Sequence, residues 1–578
     1  MVEHKTPIEK KSGKKINFRQ HKKTVLGGGL VAVLAIAGIF SGIIILSDID
    51  DKKGESIVRL GTFDYPSTFD PIASWFYNDV AASIIPQMAE GLFKNSFTNG
   101  GSTIVNNLAT SYEWSIDDLN LTCTLRSDVK FHDNTPFNAQ AVKWNFDRIQ
   151  DLTTSAPGSY IWKLPSDQWI LNKTEVIDEY QVKFVLNQPF APFLSLLASR
   201  FTYIVSPTST PSGELIGNNP DDLYGTGPFR YDSHLEDMNI ELGANQDYWD
   251  GIPNIDKIII TVYSNWSVLW EAVKAKEMSY NRLWLNDEEI EELKNITGIT
   301  TREYAMLSNN YLNMNNEKIN STMRKAISYA INYTHYIEEI RALNETRMRS
   351  PIPKPVIYSN WEDFNVPYCN ISLARQTLID IGWNGTTGLT ANSDISPGNE
   401  WEILADGSFP LSTYDFRYTD RVYFMSALAQ PLPEYLRQIG LKIETVNVSY
   451  GQYWGELFGI WGYERNLSKY ELFVTGWNPD YNDPHHVIHT TFSNEYTIEN
   501  YAQFNDSLTQ QWMEEALVET NETERAQLYI NIQRRLIEDL YPMAWLHQDV
   551  RTEVYLSNMK GDPFKDPFKF YLGDVKFE

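Results

Sequence analysis

From Thr24 to Leu46 (TVLGGGLVAVLAIAGIFSGIIIL) the chain carries no charged residue, and this run decides where everything after it must fold. A bilayer-crossing helix needs about 20 consecutive apolar residues. A soluble helix that is apolar all round has no stripe to present to water. Lys5, Lys10, Lys11, Lys14, Lys15, Arg19, Lys22 and Lys23 precede the run and Asp48, Asp50 and Asp51 follow it, so the Lys/Arg asymmetry keeps the N-terminus inside. The run exceeds the roughly 7 to 15 residue core of a cleaved signal peptide, and no small-x-small site or lipid-accepting cysteine follows it. The expectation is a single-pass cell-membrane protein: a cytoplasmic basic tail at 1–23, an uncleaved anchor at 24–46, a polar tether at 47–56, and an extracytoplasmic body. Asn-x-Ser/Thr sequons recur from Asn120 to Asn521, which fits an exported glycoprotein or an asparagine-rich composition.

A chain of 578 residues is too long for one core, because cores stop growing near roughly 250 to 300 residues, so at least two lobes are expected. With 42% apolar residues it can bury enough surface to fold. The net charge of -26 excludes nucleic acid as a partner, since phosphates must be met by clustered Lys and Arg. Cys123 and Cys369 are the only cysteines, which rules out a disulfide scaffold or a four-cysteine zinc site and leaves their pairing open.

In LNLTCTLRSDV, Leu119, Leu121, Cys123 and Leu125 alternate with polar residues, as do Val182, Phe184 and Leu186; this is the period of a half-buried strand. Met323, Ala326, Ile327, Ala330 and Ile331 share a helical face, and Ala374, Leu378 and Ile381 another before Gly382. PEYLRQIG reads as a helix ending at Gly440 before the strand LKIETVNV, and Asn521 with Glu524 as a helix start. The class is mixed α/β. Asn384 to Pro410, rich in Gly, Thr, Ser and Asn, reads as a surface loop.

The chain has no phosphate-binding loop, no nucleophile elbow and no H-E-x-x-H zinc helix, so it is read as a non-enzyme with no cofactor. Gly225 and Gly227 in LYGTGPF read as turn residues, and His132 as a structural hydrogen bonder. His485 and His489, beside His486, would share a helical face after Pro484 and are weak metal candidates; a solvated helix start is the plainer reading.

Several segments, in order over most of 57–578, resemble the family 5 solute-binding proteins of ABC importers. They are IVRLGTFDYPSTFDP with IIPQMAEGLFK, then NLATSYEWSIDDLNLTCTLRSDVKFHDNTPFNAQAVKWNFDRI, YGTGPFRY, NQDYWDGIPNIDKIII, MRKAISYAINY, SLARQTLIDIGW and EYLRQIGLKIET. Asn134 stands where the family usually has glycine, and asparagine also accepts left-handed backbone. The resemblance implies a two-lobe fold of the periplasmic-binding-protein type II kind, with ligand enclosed between lobes and delivered to a permease with separate ATPase subunits. By analogy, lobe 1 is 57–305 with a subdomain at about 100–215, lobe 2 is 306–540, and 541–578 returns to lobe 1.

Asp480 in FVTGWNPDYNDP matches the family's GW-x-x-DY-x-x-P element, whose aspartate pairs with a ligand α-ammonium in peptide-binding members; its other reading is a turn cap. Tyr470, Leu472 and Val474 alternate before Gly476, where a missing side chain would admit ligand backbone to a strand edge, with Trp477 and Tyr481 as walls. By the same resemblance, Arg417 and Arg421 lie where peptide-binding relatives can carry an arginine for a ligand carboxylate, and Trp75 and Tyr77 fall in a first-lobe segment that lines the cleft in relatives. Di- or oligopeptides are the expected ligands. The alternatives are an oligosaccharide, which the 17 tryptophans could stack on, or a nickel or other metal complex; a sensor or hydrolase is more remote.

Overall fold

The alternating segments build the sheets. Strands Asn120–Leu125 and Gln181–Leu186 expose every second residue partly and bury the others. They pair antiparallel with Leu121 opposite Phe184, and Ala109–Trp114 and Leu171–Asp178 flank them. Helix Ala139–Asp151, capped by the Asn138 side chain, lays Val142, Phe146 and Ile149 into the same core. The structure, a computed structural model, describes residues 54–578 except 74–78, 99–100, 153–160, 165, 167, 236, 342–344, 384–387, 408–410, 496–498, 564 and 567–568. The expected tail and anchor, and the tether up to 53, lie outside these residues, as do Trp75 and Tyr77. Among the described residues no helix is long and apolar enough to cross a membrane.

A second sheet sets Ile57–Thr62 parallel to Lys257–Val262, followed by Asn239–Ala244 and Phe229–Leu235. Val58, Phe229, Ile240, Leu242, Ile258 and Ile260 form its core. The third sheet runs Tyr280–Leu283, Met543–Leu556, Ile299–Met314, Leu472–Trp477, Ser412–Tyr418, Leu441–Asn447, with Thr346–Arg347 beside Met543–Leu556. Its longest members, Ile299–Met314 and Met543–Leu556, are antiparallel, and their register breaks between Ala305 and Asn309.

Buried carboxylates tie these parts together. Glu90 accepts from Asn107 Nδ2, Thr226 Oγ1, Tyr248 Oη and Trp249 Nε1, so the AEGL, GTGPF and DYWDG segments meet at one group. Asp70 of the Asp-Pro turn, fully buried, bonds Arg148 Nη2 at 2.5 Å and accepts the Ile216 N–H at 3.0 Å. Gly225 and Gly227 are required by close approach: a β-carbon would lie 2.1 Å from the Met88 carbonyl at the first and 2.5 Å from the Gln87 carbonyl at the second. Asn134 adopts φ +66°, and His132 Nε2 bonds the Gly227 carbonyl.

Many of the helices start on asparagine. Asn265, Asn320, Asn370 and Asn521, all sequon residues, accept N–H groups of the first helical turn, each such cap contributing about 1 kcal/mol. Capping thus gives these sequons a folding role. Cys123, buried, and Cys369, exposed, are both unpaired. The 384–410 segment departs from a plain surface loop: Asn399 caps helix Glu400–Asp406, Trp401 is buried, and Arg375 bonds Asn392 and Asn399. Ile381 is also exposed rather than on the buried face, because helix Ile371–Asp380 has already ended.

Glu90→Gln turns one acceptor into a donor that faces donors. It is expected to cost about 2 to 4 kcal/mol of unfolding free energy, read by urea denaturation; a loss below about 1 kcal/mol would contradict the hub role.

Candidate ligand-binding site

Strand Leu472–Trp477 is buried on both faces as far as Thr475, a departure from the alternation read before Gly476. It pairs along its length with Ile299–Met314, Asn309 opposite Trp477. Nor is it a free edge throughout: on the other side Ser412–Tyr418 meets it, but only at Leu472 and Phe473. The Val474 carbonyl then accepts the Tyr453 hydroxyl at 2.7 Å, so from Thr475 to Trp477 no strand among the described residues lies on that side.

Gly476 does not leave room for a ligand where its side chain would be. A β-carbon would stand 2.6 Å from Asn310 Oδ1 and 3.0 Å from the Asn309 carbonyl, so the neighbouring strand fills that space. Trp477 packs against the apolar cluster around Tyr311 and Trp545 and tilts over His486, centroids 5.6 Å apart. Its Nε1, Asn310 Nδ2 and Asn482 Oδ1 are buried with no hydrogen-bond partner among the described residues. Such groups mark places where water or a ligand completes the bonding.

The turn after the strand carries two aspartates with different tasks. Asp483 caps helix Pro484–Phe492 by accepting the His485 N–H at 2.9 Å, and takes both Nη groups of Arg525 at 2.7 and 2.8 Å. Capping therefore falls to Asp483. The buried carboxylate of Asp480 instead faces Arg200 Nη2 at 3.3 Å and His486 Nε2 at 3.4 Å. The Asp480 N–H donates to His486 Nδ1 at 3.0 Å, which leaves the ring proton on Nε2, toward the carboxylate.

Tyr481, expected as a wall, is buried in the core of the 92–204 segments, its hydroxyl 2.6 Å from His485 Nδ1. Ser195 Oγ donates to the Asn482 carbonyl at 3.1 Å and Asn482 Nδ2 to Ser102 Oγ at 2.8 Å. Arg417 lies over the Tyr470 ring, 3.8 Å from Asp415, and Arg421 is exposed over Tyr450; the contacts of neither involve the 480 turn. A cavity of 420 Å³ beside the turn is lined by Trp114, Phe190, Ser195, Tyr358, Asp483 and Arg525. Another of 340 Å³ lies at the carboxyl ends of the Ile57–Thr62 sheet, against Asp64, Arg282, Trp284 and Arg551. Asp480 lines neither, being covered by Arg200 and the contacts of Asn482.

The solvated helix start is overturned, since every residue of Pro484–Phe492 is buried. The His485 and His489 rings are 4.3 Å apart, and each Nε2 lacks a hydrogen-bond partner among the described residues. They offer two ligands only. Glu345, His547 and Asp549 are the one group of three possible metal donors among the described residues, within 4.8 Å of one another. Arg341, however, bonds both Glu345 oxygens and Ser308 Oγ bonds Asp549 at 2.6 Å, so a guanidinium already supplies positive charge there.

Residues 103–497 match the model of the bacterial extracellular solute-binding proteins, family 5, and the chain belongs to that family. It is 23% identical over 497 residues to the probable D,D-dipeptide-binding periplasmic protein DdpA of Escherichia coli K12, covering 84% of this chain and 87% of that protein. It is 26% identical over 500 residues to di/tripeptide-binding protein 2 of Pseudomonas aeruginosa, covering 83% and 84%. The fold is similar to that of DppA from Helicobacter pylori in complex with peptide STSA, with a TM-score of 0.67, 23% identity, and 91% and 98% of the two chains covered.

Burial pushes the His489 imidazole down to about 3, His132 to about 4, and His485 well below its usual value. Below pH about 6.5 the unfolded chain takes up protons at these rings that the folded chain refuses, so stability falls as pH drops, by about 1.4 kcal/mol per pH unit per ring. His489→Gln is expected to make the slope of unfolding free energy between about pH 4 and 6 shallower by that amount; an unchanged slope would contradict a neutral buried His489.

Proposed function

We propose that this protein captures di- and oligopeptides outside the cell and delivers them to an ABC permease driven by separate ATPase subunits. The observation that carries this reading is the buried Asp480 carboxylate, set against a cation and a histidine three residues beyond a strand whose last residues have no neighbouring strand on one side among the described residues. A carboxylate out of water requires a cation and donors, which the α-ammonium of a peptide supplies, while the free side of Thr475–Trp477 offers main-chain pairing without side-chain selection. The dipeptide- and tripeptide-binding names of the relatives point the same way.

In this reading lobe 1 is 57–305, with its subdomain at about 100–215, lobe 2 is 306–540, and 541–578 returns to lobe 1. Ile299–Met314 and Met543–Leu556 are the crossings, and the register break after Ala305 gives the pair a place to bend as the lobes close. The span 24–46 holds the body at the outer face of the membrane. Trp75 and Tyr77 are assigned to the first-lobe wall and Trp477 to the second, with Arg417 and Arg421 as candidates for a ligand carboxylate.

Asp480→Asn is expected to weaken binding of a peptide with a free amino terminus by roughly 10- to 100-fold, from the ~1.5 to 3 kcal/mol of a charge-assisted bond. Titration calorimetry on both proteins measures this. Oligosaccharides make no demand for a carboxylate, so unchanged affinity for the ligand that binds would remove Asp480 and the peptide assignment together.

A further inference from the structure

Two aspartate–arginine pairs stand three residues apart on one turn, and their geometries differ. Arg525 meets Asp483 with two parallel bonds and is 6% exposed at the side chain, the geometry of a permanent ion pair. Arg200 reaches Asp480 through one nitrogen at 3.3 Å, its side chain is 22% exposed, and its Nε is buried with no hydrogen-bond partner among the described residues. The first pair is saturated; the second is a loose contact.

The partners of the loose pair come from distant parts of the chain. Arg200 opens the 3-10 turn Arg200–Thr202, which follows helix Phe193–Leu197 of the 92–204 core. Asp480 lies 280 residues away, after the strand of the third sheet. Around the pair, Ser195 and Ser102 bond Asn482, while Ala191 N–H donates to the Leu517 carbonyl at 2.9 Å and Thr520 Oγ1 to Asp118 at 3.1 Å. These are mostly neutral hydrogen bonds, each contributing about 1 kcal/mol. Burial pushes the imidazole of His486, the other neighbour of the carboxylate, below its usual value. Arg525 is committed to Asp483, and the guanidinium that reaches Asp480 is that of Arg200.

We propose that Arg200 is a built-in stand-in for the ligand: in the empty protein its guanidinium holds the ammonium subsite of Asp480 and keeps the two sides together, and an arriving primary ammonium displaces it. This rests on the peptide reading of the Asp480 site. A compact ammonium with three donors can satisfy a carboxylate that the guanidinium meets with one long bond. Ligands without a cation cannot displace it, so Arg200 acts as a specificity residue that rejects blocked amino termini and neutral solutes. Binding is then an exchange of one cation for another, with less change of buried charge than insertion into an empty anionic pocket.

The test is Arg200→Gln, which keeps a shorter polar side chain but removes the charge, with Arg200→Lys as a charge-preserving control, both in the full chain. Hydrogen–deuterium exchange of the ligand-free proteins reads the seam, and calorimetry reads a free-N-terminus tetrapeptide and its N-acetylated form. Arg200→Gln is expected to speed exchange several-fold in 190–204 and 478–483, to bind the free peptide about tenfold more tightly, and to narrow the preference over the acetylated form; Arg200→Lys should stay near the parent. Weaker binding by Arg200→Gln would make Arg200 a ligand contact and overturn the proposal. So would unchanged exchange and affinity in a protein whose peptide binding still depends on Asp480. Faster exchange in Arg200→Gln, with no peptide bound by any of the proteins, would support the latch and remove the peptide reading.

Discussion

A carboxylate taken out of water must be met at once by donors or a cation, and in this chain that demand joins segments far apart in sequence. Asp70 requires Arg148 and the Ile216 amide; Glu90 gathers Asn107, Thr226, Tyr248 and Trp249; Asp483 fixes Arg525; Glu553, with no exposed side-chain surface, takes Tyr280 and Arg302. Apolar packing drives collapse but tolerates many arrangements, whereas each of these groups accepts one set of neighbours. Asp480 obeys the same rule with a difference: its cation is held loosely, and a loosely held cation can be exchanged.

The third sheet turns that local property into a receptor. Strand Leu472–Trp477 is fixed by Ile299–Met314, which with Met543–Leu556 reaches Tyr280–Leu283. The turn 478–483 is thus mounted on the same strand ladder that crosses the molecule, while its other face touches Ser102, Ser195 and Arg200 from the 92–204 core. In the proposed reading, a ligand entering at Asp480 acts directly on the contact between the two sides. The register break after Ala305 lies on the crossing strands themselves.

Much of this was legible in the residues because the signals are local. Period-2 runs such as Asn120–Leu125 became strands with the expected face buried, Asn521 became a helix cap, and Asn134 took the left-handed backbone that its turn requires. What could not be read depended on distant partners. Arg200, in SRFTYIV, carries no signal that it meets a carboxylate 280 residues on. PHHVIHTTF looks water-loving, and only the surrounding elements bury it. Asn399, two residues before Trp401, is a cap hidden in a loop-like composition. Arg417 and Arg421, which the family resemblance offered for a ligand carboxylate, contact Tyr470, Asp415 and Tyr450.

The most direct test of the account is to weigh what the protein already holds. Native mass spectrometry of the full chain, purified gently from expressing cells, followed by release and fragmentation of the bound species, identifies the ligand without a choice of candidates. The account predicts a ladder of short peptides, each with an unblocked amino terminus. A hexose series, a metal complex, or peptides with blocked amino termini would contradict Asp480 as the anchor of an α-ammonium.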